Sequence, residues 1–305
     1  MSAQQPIPSG FGPTTTAEEA IGTIRLDGKL AIVTGGYAGI GTETTRVLTK
    51  AGARVIVPAR DVAKARAALE GMPNVEIRQM DLGSPSTIDA FAATVTEPVH
   101  LLINNAGIMA VPQLTRDARG IEQQLAVNHV GHFQLFQRLV PRLQAAKGAR
   151  VIALSSRGHV RSPFVFEDPN FEHRPYDKMV AYGQSKTANI LFAFEVDRRY
   201  QKDGIRAFSL HPGAILETQL GRHYDPSELA AVVERALKIS SMKNIPQGAA
   251  TTVFAASSPM LDGKGGVYLV DCDIAKIGDG DHDVRAYAVD PGNAERLWGW
   301  TAKQI

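Results

Sequence analysis

The sequence predicts an α/β fold in which one central, parallel, seven-stranded sheet carries helices on both faces, and three observations support this. Short β-rich runs alternate with helical stretches along most of the chain. The first run, Leu30-Ala31-Ile32-Val33, is apolar at every position, as a strand covered on both faces must be. A glycine-rich turn, T-G-G-Y-A-G-I-G at residues 34–41, follows that run directly and opens into a helical pattern. Strands alternating with helices pair in parallel through right-handed crossovers, which makes the sheet doubly wound.

Residues 1–13, rich in Pro, Gly, Gln and Ser, read as a loose arm. Order begins at T-T-A-E-E (15–19), where a threonine followed three residues later by glutamate is a helix N-cap signature. An arm and short helix (1–25) thus precede a main domain (26–275) and a tail that packs on it (276–305). Strands are expected at 30–33, 54–57, 75–78, 99–103, 150–154, 205–210 and 266–270. Helices are expected at 39–50, 62–69, 85–96, 120–146, 180–202 and 249–256. Two loops, 157–180 and 214–245, belong at the carboxyl edge of the sheet, where specificity is carried. The first holds Phe164, Phe166, Phe171 and Tyr176 and reads as a wall or lid over an apolar compound, or as surface packing. Trp298 and Trp300 read as core packing for the tail.

Composition narrows the classes. A chain of 305 residues, 44% hydrophobic and 21% charged, can bury one large core. Net charge is +2, from 33 basic and 31 acidic residues without a basic block, which argues against nucleic acid and anionic membrane as partners. Cys272 is the only cysteine, reads as a small buried hydrophobe, and fits a reducing compartment. No apolar run reaches the ~18 residues of a membrane span, so a cytoplasmic location is expected. Asp279, Asp281, Asp283 and Asp290 fall at calcium-loop positions, but Val284 stands where that loop needs glycine and the last ligand should be glutamate. They read as a solvated acidic turn. His129, His132 and His211 lack metal-ligand spacing and read as structural, so no metal is expected.

Two features carry chemistry. Where a strand passes into a helix, free backbone N–H groups and the helix dipole face the carboxyl edge of the sheet, which makes the glycine turn a pyrophosphate site. Gly35 permits the turn, Gly39 lets phosphates approach, and Gly41 lets helix and strand pack closely. Downstream, Tyr182 and Lys186 stand four residues apart in A-Y-G-Q-S-K-T-A-N-I-L-F, hence on one helix face. An ammonium beside a phenol favours the phenolate, so this pair could exchange a proton with a bound compound near neutrality.

These residues, with Asp81-Leu82, N-N-A-G (104–107), Asn128, Ser155-Ser156 and Pro212-Gly213, stand in one order that resembles the short-chain dehydrogenases/reductases over about 27–271. Within that Rossmann-fold family, T-T-A-E-E, V-N-H-V-G-H-F (127–133) and the Tyr182 segment are similar to the retinol dehydrogenase, WW-domain oxidoreductase and protochlorophyllide reductase branch. The resemblance implies an oxidoreductase that interconverts an alcohol and a ketone or aldehyde by hydride transfer, on a hydrophobic small molecule. Tyr182 would be the general acid/base and Ser156 would hold the reacting oxygen. Lys186 would hold the nicotinamide ribose and lower the Tyr182 pKa, and Asn128 would hold a relay water. The cofactor would meet Gly35, Tyr37, Gly39, Ile40 and Gly41, then Arg60, Asp81 and Leu82. It would continue along Asn105, Ala106 and Gly107, then Tyr182 and Lys186, and finally Pro212, Gly213, Ile215 and Thr218. Asn104 would hold the sheet together.

At the end of the second strand Ala59 stands where NAD-preferring members carry an acid, and Arg60 follows, which favours NADP(H) over NAD(H). Two departures stand out. The Ser156–Tyr182 interval is about twice the family's, and Thr218 falls one residue later than its threonine. A homodimer or homotetramer through the two long helices is implied. A nicotinamide-binding regulator with vestigial activity and a reductase of an activated C=C bond are the alternatives, while an epimerase would need G-x-x-G-x-x-G at the turn.

Overall fold

The computed structural model describes residues 4–237 and 242–305. Its strands are β1 (Leu30–Val33), β2 (Arg54–Ala59), β3 (Val75–Gln79), β4 (Leu101–Asn104), β5 (Ala149–Leu154), β6 (Ile205–His211), β7 (Val267–Val270) and β8 (Asp273–Ile274). They form one sheet, ordered β3-β2-β1-β4-β5-β6-β7-β8, with every pair parallel except β7–β8. The sheet therefore has eight strands where seven were expected. The last follows the two-residue turn Asp271-Cys272, in which both residues take positive φ, 51° and 62°. That is the geometry of a tight hairpin, but neither residue is glycine, so nothing in the sequence marks it.

The helices are α1 (Ala17–Ile21), α2 (Ile40–Lys50), α3 (Val62–Ala68), α4 (Pro85–Ala93), α5 (Gln123–Leu125), α6 (Gly131–Ala145), α7 (Lys178–Tyr200), α8 (Pro226–Leu237), α9 (Ile245–Ser257) and α10 (Pro291–Ala302). Because strand residues alternate between faces, Ala31, Val33 and Ile103 meet Leu48 of α2 and Phe254 of α9. On the other face Ile32 and Leu102 meet Phe91 of α4, Phe136 of α6 and Phe192 of α7. Truncating one of these phenylalanines to alanine would cost about 3–5 kcal/mol.

Several expectations change. The arm is not loose where it is described. Gln4 donates from Nε2 to the Tyr268 and Ala275 carbonyls and accepts from the Tyr268 N–H, so it satisfies backbone groups at the sheet edge. Thr16 and Glu19 do form the reciprocal cap of α1. The helix expected at 120–146 starts at Gln123, and its turn at Ala126–Val130 is wound as a π-helix between α5 and α6. Part of the 214–245 loop is helix α8; residues 238–241 of that loop and 1–3 of the arm lie outside the described residues.

Of the aromatics in the 157–180 loop, Phe164 and Phe166 pack against the C-terminal helix, while Phe171 meets Tyr176 edge to face and the Tyr176 hydroxyl donates to the Val111 carbonyl. Phe164 is buried and stacks near Phe166 and Trp300, at 4.8 and 5.2 Å between ring centres. Trp298 sits 4.9 Å from Phe133 and also faces Phe136, Phe192 and Tyr200. As a result α7 is covered on all sides: from Ala181 to Asp197 every residue but the half-buried Phe194 is buried. A helix enclosed this way has no free apolar stripe, so the assembly expected through the long helices finds no open face on α7. In the acidic turn, Asp290 caps α10, Asp283 accepts from the Gly280 N–H, and the Arg285 guanidinium holds the Gly278 and Asp279 carbonyls. Among the described residues no helix is long and apolar enough to cross a membrane.

Candidate active site

The site grows from the carboxyl ends of β1, β2, β4, β5 and β6. Past β1, Gly35 and Gly39 adopt φ of 63° and 54°, a region that favours glycine, and Gly39 delivers the chain to the first turn of α2. Gly41 faces away from the opening, where a Cβ would overlap the Gly35 carbonyl. Its role is the close packing expected of it. Thr34 ties β1 to β4: its Oγ1 accepts from the Asn105 and Ala106 N–H groups at 2.9 and 3.0 Å, and Asn105 Nδ2 donates to its carbonyl at 2.8 Å. Asn105 thus joins β1 and β4 through its side chain, while Asn104 pairs with Ala153 of β5 in the ladder and its side-chain amide is buried without a protein partner.

A cleft of about 460 Å³ opens above these ends. It is lined by Gly35, Tyr37, Gly39, Ile40, Arg60, Asn105, Ala106, Gly107, Ser156, Tyr182, Lys186, Pro212, Gly213, Ile215 and Thr218. Thr218 reaches the glycine turn, since a Cβ on Gly39 would stand 3.0 Å from its Cγ2. Four expected residues do not line the cleft. Gly41 lies behind the turn, Asp81 accepts from the Gly83 N–H at 2.9 Å, Leu82 is buried, and Asn128 lies one layer down. Its place in the π turn lets Asn128 bond the backbone of Ile108 in both directions at 2.9 Å and donate to Ser185 Oγ at 3.0 Å. Gly107 lies between it and the cleft: a Cβ there would meet Asn128 Oδ1 at 3.3 Å and Lys186 Nζ at 3.5 Å.

Asp177 caps α7 by accepting from the Met179 and Val180 N–H groups, and the next turn carries Tyr182 and Lys186 into the cleft. Both are buried, at 2% and 4% exposure. Lys186 Nζ donates to the Leu154 carbonyl at 3.0 Å and stands 5.6 Å from the centre of the Tyr182 ring. Ser156 Oγ accepts from the Gly158 N–H at 2.9 Å and lies near enough to the Tyr182 phenol to favour its charged form. Ser155 is the structural neighbour expected, donating from Oγ to the Lys186 carbonyl.

The expected lowering of the Tyr182 pKa is outweighed. Burial pushes the phenol up to about 12, the Ser156 hydroxyl works against that rise, and the Tyr224 phenol adds to it. Burial likewise brings Lys186 down to about 8. Taking charge out of water is the larger effect at this depth.

Four further residues of the site were not expected there. Gly158 supports the phenol ring, because a Cβ there would stand 2.7 Å from Tyr182 Cε1. His211 lines the cleft, and its Nδ1 accepts from the Arg157 N–H. Lys64 and Arg222 line the far end beside Arg60 and Tyr37. Lys64 follows Asp61, the N-cap of α3, so a basic residue in the first turn of that helix was a legible cue. Arg222 sits in an irregular segment where no periodicity could have placed it.

The residues fit a dinucleotide. A glycine turn at the N-terminus of an 11-residue helix would receive the pyrophosphate, Tyr182, Ser156 and Lys186 would surround the reacting end, and cations would meet the other end.

Residues 29–228 match the short chain dehydrogenase family. A probable oxidoreductase of Streptomyces lividans is 42% identical over 92% of this chain and 98% of its own length. Retinol dehydrogenase 12 of Mus musculus is 35% identical over 90% of this chain and 85% of its own length. A crystal structure of a protein from Mycobacterium Paratuberculosis superposes with a TM-score of 0.75 at 32% identity, over 93% of this chain and 96% of that one.

Proposed function

The chain belongs to the short-chain dehydrogenase/reductase family, an oxidoreductase family that uses nicotinamide cofactors, and from that premise we propose that it is an NADP(H)-dependent enzyme interconverting an alcohol with a ketone or aldehyde on a hydrophobic small molecule in the cytoplasm. One observation carries the reading: Tyr182, Ser156 and Lys186 converge at one end of a single cleft whose other end is cationic and lacks an acid at Ala59.

A bound nicotinamide supplies hydride exchange at C4. The remaining chemistry belongs to the chain. In reduction, Tyr182 donates its hydroxyl proton to the carbonyl oxygen as that oxygen gains charge, and in oxidation the phenolate takes the proton back. Ser156 orients and stabilises the same oxygen. A phenol pushed up to about 12 keeps its proton at neutrality, which is the form that reduction requires. Lys186, cationic below about 8, holds the ribose and supports the phenolate once the proton has left. Asn128 fixes the Ile108 segment and Ser185, and so positions the floor beneath Lys186.

The test is NADPH oxidation with a panel of apolar aldehydes, ketones and enones, with product analysis. Alcohol products support the reading. Saturated carbonyl products would point to C=C reduction, and tight NADPH binding without turnover to a regulator.

A further inference from the structure

Three cations meet at the end of the cleft beyond Tyr37, and they come from opposite lips. Arg60 follows β2 and Lys64 lies in the first turn of α3, both part of the nucleotide-binding half. Arg222 comes from the other lip, immediately after the short 3-10 turn Gln219–Gly221 and before α8. Gln219 holds the lips together. Its Oε1 accepts from Lys64 Nζ at 3.3 Å, and its carbonyl accepts from Arg222 Nη1 at 3.0 Å.

The cations lack a counter-charge. Among the described residues none of the three forms an ion pair, and the adjacent carboxylate of Asp61 is engaged as the cap of α3, accepting from the Lys64 N–H at 2.9 Å. Desolvation by its neighbours and repulsion from Arg60 both work against the Arg222 charge, although the side chain still reaches solvent. Like charges gathered around a cleft without an acid are unfavourable unless an anion joins them. Their position at the end of β2 is where a doubly wound sheet presents the ribose of a dinucleotide.

We propose that Arg222 is a specificity-determining residue: with Arg60 and Lys64 it clamps a phosphate monoester on the cofactor's adenosine ribose, so that the substrate-side lip takes part in selecting the phosphorylated dinucleotide. The inference rests on the NADP(H) reading above and adds to it a residue from outside the nucleotide-binding half. Thr218 and Gln219, between Arg222 and the glycine turn, transmit that contact to Gly39. A guanidinium suits the role, since its planar fork can give two hydrogen bonds to one phosphate, whereas an ammonium acts as a point charge.

The experiment compares the parent enzyme with Arg222→Ala, Arg222→Lys and Arg60→Ala. It measures kcat/KM for NADPH and NADH, and Kd for adenosine 2′,5′-bisphosphate and for 5′-AMP. The ratio of kcat/KM for NADPH over NADH should fall about tenfold in Arg222→Ala, as expected for one lost charge-assisted contact, with partial recovery in Arg222→Lys. Affinity for the bisphosphate should fall by a similar factor while 5′-AMP binding moves far less. If Arg60→Ala lowers that ratio and Arg222→Ala does not, the clamp is wrong and the cofactor reading stands. If the parent enzyme does not prefer NADPH over NADH, the cofactor reading fails and takes the clamp with it.

Discussion

The two ends of the cleft are made of different materials. At one, Tyr182 and Lys186 are almost wholly buried, and burial moves one pKa up to about 12 and the other down to about 8. At the other, Arg60, Lys64 and Arg222 are exposed. Charge at the buried end acts through a poorly polarisable medium, while at the exposed end it acts through water and falls off over a Debye length of about 8–10 Å. The buried end is therefore suited to altering a barrier and the exposed end to choosing a ligand. Substitutions should divide the same way, with kcat responding at one end and cofactor KM and salt dependence at the other.

The largest expected effect tests the buried end alone. Tyr182→Phe removes the proton donor and keeps the ring, so kcat should fall by about 10²–10⁴, the usual worth of a positioned acid. Comparable losses of kcat and NADPH affinity would erase the division. Next comes Gly158→Ala, whose added methyl would stand 2.7 Å from the phenol ring. Displacing Tyr182 by a few tenths of an ångström should lower kcat by about tenfold or more, with the fold checked by circular dichroism. At the exposed end, Arg60→Ala should raise KM for NADPH about tenfold at low salt, and the gap should narrow as ionic strength rises. A salt-independent gap would mean that this end is not solvated as described.

Smaller effects come from titration. Lys186 carries its charge below about 8 and loses it above, while Tyr182 stays protonated until about 12. The rate of carbonyl reduction should therefore decline as pH rises through 8, and a profile flat to pH 10 would show that the Lys186 charge is not needed. On the acid side, burial brings His129 to about 3, and His132 and His159 to about 4. The unfolded chain binds those protons near pH 6.5 and the native state does not, so this stability is complete above 6.5 and is lost as pH falls toward 4. Each residue withdraws up to about 1.4 kcal/mol per pH unit in that window. Thermal melts at pH 7.5, 6.5 and 5.5 should show a progressive drop.

The same division governs what could be read from the sequence. The nucleotide half is written locally. An apolar run predicts β1, spaced glycines predict the turn into α2, and a four-residue interval puts Tyr182 and Lys186 on one face of α7. What escaped depends on contacts distant along the chain. The π turn holds Asn128 against Ile108 and Ser185, partners 20 and 57 residues away in the chain. β8 depends on two non-glycine residues taking positive φ. Phe164 and Phe166 of the 157–180 loop are absorbed by Trp300 and α10, and Phe171 and Tyr176 by each other, rather than arranged over the cleft. The Tyr182 pKa was misjudged because spacing reports the neighbouring charge but not the depth of burial. Arg222 lies in a segment whose position is set by its partners, Gln219 among them.

Whether Tyr182 supplies the proton is decided by a single-turnover measurement with enzyme in excess over NADPH and an apolar aldehyde, comparing the parent enzyme with Tyr182→Phe and following NADPH binding by its fluorescence. With Tyr182 as the proton donor, both proteins should bind NADPH with Kd values within about threefold, and alcohol should form about 10²–10⁴ times more slowly in Tyr182→Phe. Alcohol formation by Tyr182→Phe at a rate within tenfold of the parent would contradict that role.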